Sequence, residues 1–146
     1  MSESRPPRSF WIISSLAIFW NLIGFLAFTS QAFMSSAMLA ELPADQAELI
    51  RQTPQWLKGV FAIATITGLL GSLLLILLRR SATTLFLISL VGVLIQMGYS
   101  LLTTNALEVY GILQGLMLPL FVVIIAIYLY IFSRRSAARG YLKRTS

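Results

Sequence analysis

The chain has 146 residues, 58% hydrophobic and only 11% charged, with a net charge of +6 and a mean hydropathy of +0.84. Soluble domains carry about a quarter of their residues charged, so this composition excludes a water-facing globule and marks a membrane protein. Cys and His are both absent, which removes disulfides, thiolate nucleophiles, the usual zinc and haem ligands and an imidazole base.

Four apolar runs, over about 10–29, 57–78, 82–102 and 110–132, each approach the roughly 20 residues that cross a bilayer as a helix. They predict an all-α membrane protein: four transmembrane helices in an antiparallel bundle, one domain over 1–146, with basic tails at 1–9 and 133–146. The first run follows Pro6, Pro7 and Arg8 and is interrupted only by Asn21. Its basic flank, with Ser35, Ser36 and Ala37 beyond it, has the layout of a signal peptide. The run is longer than the about 7 to 15 residues of a signal-peptide core, so it reads as a retained helix.

Between the first two runs lies the longest connector, about 30–56. Within it ELPADQAELIRQTP places Pro43 at a first turn, Asp45 and Glu48 early and Pro54 as a stop, the signature of a short helix. Ala47, Leu49 and Ile50 give that helix a weak apolar side, suited to a membrane surface or to the top of the bundle. It reads either as a solvated connector or as a lid over an outer vestibule.

The second run tolerates Lys58 at its edge, where the side chain can snorkel, and stops at Arg79 and Arg80. The third begins almost at once, which predicts a hairpin turning at Arg79, Arg80 and Ser81. Basic residues bias their loops toward the cytoplasm. With both termini inside, nine of the eleven basic residues lie there against Glu3 alone, while Arg51 and Lys58 face Glu41, Asp45, Glu48 and Glu108 outside. Trp11, Tyr128 and Tyr130 then fall at the inner interface, and Trp56, Tyr99 and Tyr110 at the outer one, an aromatic belt at both levels. The expected location is a membrane, with both termini in the cytoplasm. The basic tail RRSAARGYLKR is short and sits beside an anionic leaflet, so its charge points to lipid and not to nucleic acid.

Within the spans the informative residues are polar or small. Ser14, Ala17, Asn21 and Gly24 share one face of the first, and Ser89, Gly92, Gln96 and Tyr99 one face of the third. Ala64, Gly68 and Ser72, with Gly71 beside them, and then Gly111 and Gly115, follow the small-residue interval that lets helices approach closely. Pro119 is a kink point. By depth, Gln31, Gln96, Tyr99 and Gln114 belong to the outer half, near Asn105 and Glu108, and form an amide-rich region suited to a neutral polyol or sugar. The same groups serve equally as hydrogen-bonding contacts between helices.

The strings WNLIG, LP followed by TPQW, GLLG, LLRRSA, LFLISLVGVLIQMGY and NALEVYG, with Pro119, resemble an uncharacterised group of small bacterial four-span inner-membrane proteins often labelled as sugar transporters. The resemblance covers most of Phe10 to Phe132 and implies a transport role; it transfers no catalytic or binding residue. Small proton-coupled exporters also have four short helices, but this chain has no acid inside a span. Two readings follow: a transporter or facilitator for a small neutral solute, working as a homo-oligomer around Asn21, Gln96, Tyr99 and Gln114, or a non-catalytic accessory subunit that meets partner membrane helices through Gly68, Ser72, Gly111 and Gly115. Neither needs a cofactor or metal, and no constellation of an enzyme is visible.

Overall fold

The computed structural model describes residues 4–144, which are almost wholly helical. Seven α-helices occur in chain order: α1 (Arg8–Ala32), α2 (Ser36–Ala40), α3 (Ala44–Gln52), α4 (Gln55–Ile76), α5 (Ser81–Thr103), α6 (Ala106–Ile112) and α7 (Leu118–Ala138), with a π-helical turn, Leu113–Met117, ahead of α7. Four stretches are long and apolar enough to cross a membrane: Arg8–Ala32, Gln55–Ile76, Ser81–Thr103 and Ala106–Ala138. Large apolar side chains such as Phe19, Leu16, Leu77 and Ile124 stand exposed on their outer faces. Hydrocarbon solvates such a surface; water does not.

The backbone explains where the helices begin and end. Proline precedes α1, α3 and α4, as Pro7, Pro43 and Pro54; it removes a donor that a helix start leaves unpaired anyway. Ser35 caps α2 by accepting from the Met38 N–H at 3.2 Å.

α4 closes in a Schellman motif. The Leu78 N–H donates to Leu75 O at 3.0 Å and the Arg79 N–H to Leu74 O at 2.8 Å. That motif puts Leu78 at φ +60°, a conformation usually left to glycine. α7 ends the same way, with the more usual residue: Gly140 has φ +80°, its N–H donates to Ala137 O and that of Tyr141 to Ser136 O.

These two helix ends are fastened together. Lys143 N–H donates to Leu78 O at 2.6 Å, and Arg80 N–H donates to Lys143 O at 3.0 Å. The Arg80 side chain reaches Leu142 O and Ala137 O, both at 3.3 Å. Leu142 is buried there with Phe10, Ala17, Leu75, Ala82, Phe86 and Leu129. Ser4 Oγ donates to Arg139 O. The segment before α1, the α4–α5 connection and the segment after α7 therefore share one end of the bundle.

α4 packs most extensively on α5, α1 on α4, and α5 on α7. Between α4 and α5, a Cβ placed on Gly71 would meet Phe86 at 3.2 Å and one on Gly92 would meet Ala64 at 2.9 Å. Numbers rise on one helix as they fall on the other, as the short connection dictates. Gly68 is the crossing point of three helices: Asn21 Oδ1 of α1 fills the place of its missing side chain, and Ser89 Oγ of α5 stands 3.1 Å from it. Ser89 Oγ donates to Ala64 O at 2.7 Å, and Ser72 Oγ to Gly68 O at 2.9 Å within α4.

The last apolar stretch is not one straight helix. Gly111 has φ 78° and ψ 177°, a region essentially reserved for glycine. The chain folds back there, so that a Cβ on Gly115 would lie 2.9 Å from Leu107 Cα. Along an unbroken helix those residues would be about 12 Å apart. The Gly111 and Gly115 spacing thus differs from a packing groove: the first breaks the helix and the second receives the returning backbone of α6. Beyond them Leu118 N–H donates to Leu113 O, a five-residue step. This π turn sits directly ahead of Pro119, which supplies no N–H of its own.

Candidate functional site

Along three of its four sides the bundle is closed by packed backbones, α1 on α4, α4 on α5 and α5 on α7. α1 and α7 instead meet through rings: Phe10 stacks on Phe132 with centroids 5.7 Å apart, and Trp20 meets Phe121 edge-on at 5.6 Å. Between them lies a cavity of about 450 Å³ bounded by all four long helices. It runs from Gln96 and Ser100 of α5 to Phe86 and Leu129. At the latter end it stops against the buried cluster of Phe10, Leu75 and Leu142.

The walls of this cavity are chiefly apolar. Trp20, Phe61, Met97, Pro119, Val122 and Ile125 are among the apolar residues that line it. Several of the polar groups that reach it are already engaged: Asn21 Nδ2 donates to Ala17 O at 2.9 Å, Thr65 Oγ1 to Phe61 O at 3.0 Å, and Ser89 to Ala64.

A second, smaller cavity of about 180 Å³ lies at the opposite end from the basic cluster. α3 roofs it through Leu49 and Ile50, with its C-cap Thr53, and the last turns of α1 and α5 wall it through Gln31 and Tyr99, with the α5 C-cap Thr104. Trp56 holds the Tyr99 ring edge-on at 5.6 Å. Phe61, Gln96 and Ser100 line both cavities, so the two spaces adjoin at these residues. Gln96 sits about 22 Å along α5 from Ser81. Its half-buried side-chain amide makes no hydrogen bond to any other described residue. An amide offers two donors and an acceptor, and this one stays open to the cavities it lines. Such a group calls for water or a ligand.

The residues singled out in the sequence divide accordingly. Gln31, Gln96 and Tyr99 come together at the smaller cavity, and Asn21, Gly24, Ala64 and Gln96 border the larger one. Nothing approaches within 4 Å of a Cβ built on Gly24, which leaves this residue an opening in the wall with no helix packed on it. Gln114 lies apart, exposed on the π turn. Gly68, Ser72 and Gly115 are buried against this chain's own helices, so they offer no surface to a partner helix, and Gly111 is a break. Lys58, Ser100, Thr104 and Tyr110 also line the smaller cavity; for Ser100, the four-residue step from Gln96 was the available signal.

Comparison with models of protein families, with curated proteins and with solved structures found no match.

Proposed function

We propose that the chain is a multi-pass protein of a bacterial inner membrane that admits a small, uncharged, hydrogen-bonding solute from the outer side and serves as its transporter or facilitator. The observation that carries this reading is Gln96, an unpartnered amide where the two cavities adjoin; in the proposed path it is the throat between an outer vestibule and an intramembrane cavity. The vestibule is the smaller cavity, with α3 over it as a lid. Charge supports the direction. Arg79, Arg80, Arg139 and Lys143 gather at the end away from the vestibule, which the positive-inside bias assigns to the cytoplasm together with both termini. In this arrangement the path is open outward and sealed inward by the cluster around Phe10 and Leu142. Carriers that rock between two states usually pair structural repeats, so one four-helix unit works as a homo-oligomer.

The test is counterflow uptake into proteoliposomes of labelled neutral solutes, monosaccharides and short alkyl glycosides among them, by the native protein and by Gln96→Leu. Saturable uptake by the native protein, reduced at least tenfold in a folded Gln96→Leu, is the expected result. Absence of saturable uptake for the whole panel by folded, inserted protein overturns the reading.

A further inference from the structure

The two cavities differ in chemistry, and the difference bears on what fits. The vestibule presents Gln31, Tyr99, Thr104 and the amide of Gln96, with the exposed Lys58 side chain as its one charged group. Past the throat, the larger space of about 450 Å³ is walled mainly by rings and aliphatic chains, and Asn21, Thr65 and Ser89 there already donate within the protein. A polyol moved wholly into that space would leave most of its hydroxyls without partners, which disfavours its entry. An apolar body there would gain by leaving water.

The boundary between α1 and α7 adds a second observation. Among the described residues it is the only side of the bundle without close backbone packing. Outward of the Trp20–Phe121 contact it is flanked by small or ring residues, Gly24 and Ala27 on α1 and Pro119 on α7. A seam of this kind gives the cavity a flank toward the bilayer, where the apolar part of an amphiphile already resides.

From this we infer that the solute is amphipathic: an uncharged, hydroxyl- or amide-bearing head held at Gln96 and Ser100, with an apolar tail in the cavity between α1 and α7. The inference rests on the proposed solute path and names its substrate class. Gly24 supplies the discriminating variant. Gly24 borders the cavity and a Cβ there meets nothing within 4 Å, so Gly24→Leu adds bulk at the cavity edge without a clash at Cβ. Ala126→Leu, from the α7 wall, is a second filling variant.

The experiment uses the full chain in lipid nanodiscs with Trp11 and Trp56 changed to Phe, leaving Trp20 on the cavity wall as the sole indole. The probe is hexyl glucoside brominated at the end of its tail, which quenches Trp20 when the tail is seated. The expected result is saturable quenching that unlabelled hexyl glucoside reverses and that a tenfold greater concentration of glucose does not. Gly24→Leu or Ala126→Leu, with unchanged helix content, weakens it at least tenfold. Glucose displacing the probe as well as hexyl glucoside does, with the filled variants unaffected, overturns the amphipathic assignment and leaves the solute path standing. Hexanoate displacing it better than hexyl glucoside overturns the uncharged head. No saturable quenching and no glucose binding overturn both the assignment and the path.

Discussion

Ser14 and Ser89 are the same residue type in the same kind of surroundings, and their hydroxyls meet opposite fates. Ser14 is fully buried on α1, and its Oγ finds no partner among the described residues. Ser89 Oγ ties α5 to α4 through Ala64 O. Removing an unpaired buried hydroxyl relieves its desolvation, so Ser14→Ala is expected to be neutral or stabilising by up to about 1 kcal/mol. Ser89→Ala is expected to cost about 0.6 kcal/mol, the usual worth of a hydrogen bond between membrane helices. Thermal melts of the two variants in one detergent check the sign: a Tm drop for Ser14→Ala as large as that for Ser89→Ala contradicts the assignment. Nothing in the sequence separates these serines. Each sits on a face of small and polar residues, and only the placement of a neighbouring carbonyl decides which is satisfied.

Among the helices the last apolar stretch is the informative one. LEVYGILQGLM has glycines four apart, and that interval describes a packing groove and a reversal of the chain equally well, because it carries no record of φ. At Gly111 the backbone takes a conformation closed to side chains, whereas Gly98 lies within α5 with open space around it. Gly111→Ala is therefore expected to destabilise by about 1 to 3 kcal/mol. Gly98→Ala is expected to stabilise by a few tenths to about 1 kcal/mol, the helix preference of alanine over glycine. Parallel melts that move in the same direction refute this contrast. The helices themselves were legible: all-helical character and four long apolar stretches follow from composition and run length, which local hydropathy determines. The site was legible only in part. Gln31, Gln96 and Tyr99 stand out as polar residues at similar depth, and the structure gathers them. The apolar nature of the space beyond Gln96 depends on which faces of α1 and α7 converge, and no residue spacing encodes that.

At the level of the whole molecule, charge is divided between the two ends. The described acids Glu41, Asp45, Glu48 and Glu108 all lie on α3, α6 or the loop before them, around the vestibule end. The basic residues near Arg80 and Arg139 lie at the other. The proposed orientation predicts that a cytoplasm-active reporter fused after Ser146 is active and a periplasm-active one silent, with the reverse for reporters inserted between α2 and α3. Periplasmic activity at the C-terminus would invert the molecule, and the vestibule would then face the cytoplasm.

The fastening of Lys143 onto the α4–α5 turn also has a consequence for how the protein is made. Leu78 holds a left-handed conformation that costs roughly 1 to 2 kcal/mol, and the strand-like pairing that braces it comes from the far end of the chain. Arg80 and its acceptor Leu142 O are 62 positions apart. At about 5 to 20 residues per second, a ribosome needs roughly 3 to 12 s to supply that partner after the turn has emerged. Throughout that interval the α4–α5 hairpin exists without its brace, and the cluster around Phe10 lacks Leu142. Closure of the basic end thus waits on synthesis of the segment around Leu142 and Lys143, so a nascent product that stops short of it holds the α4–α5 turn without these bonds.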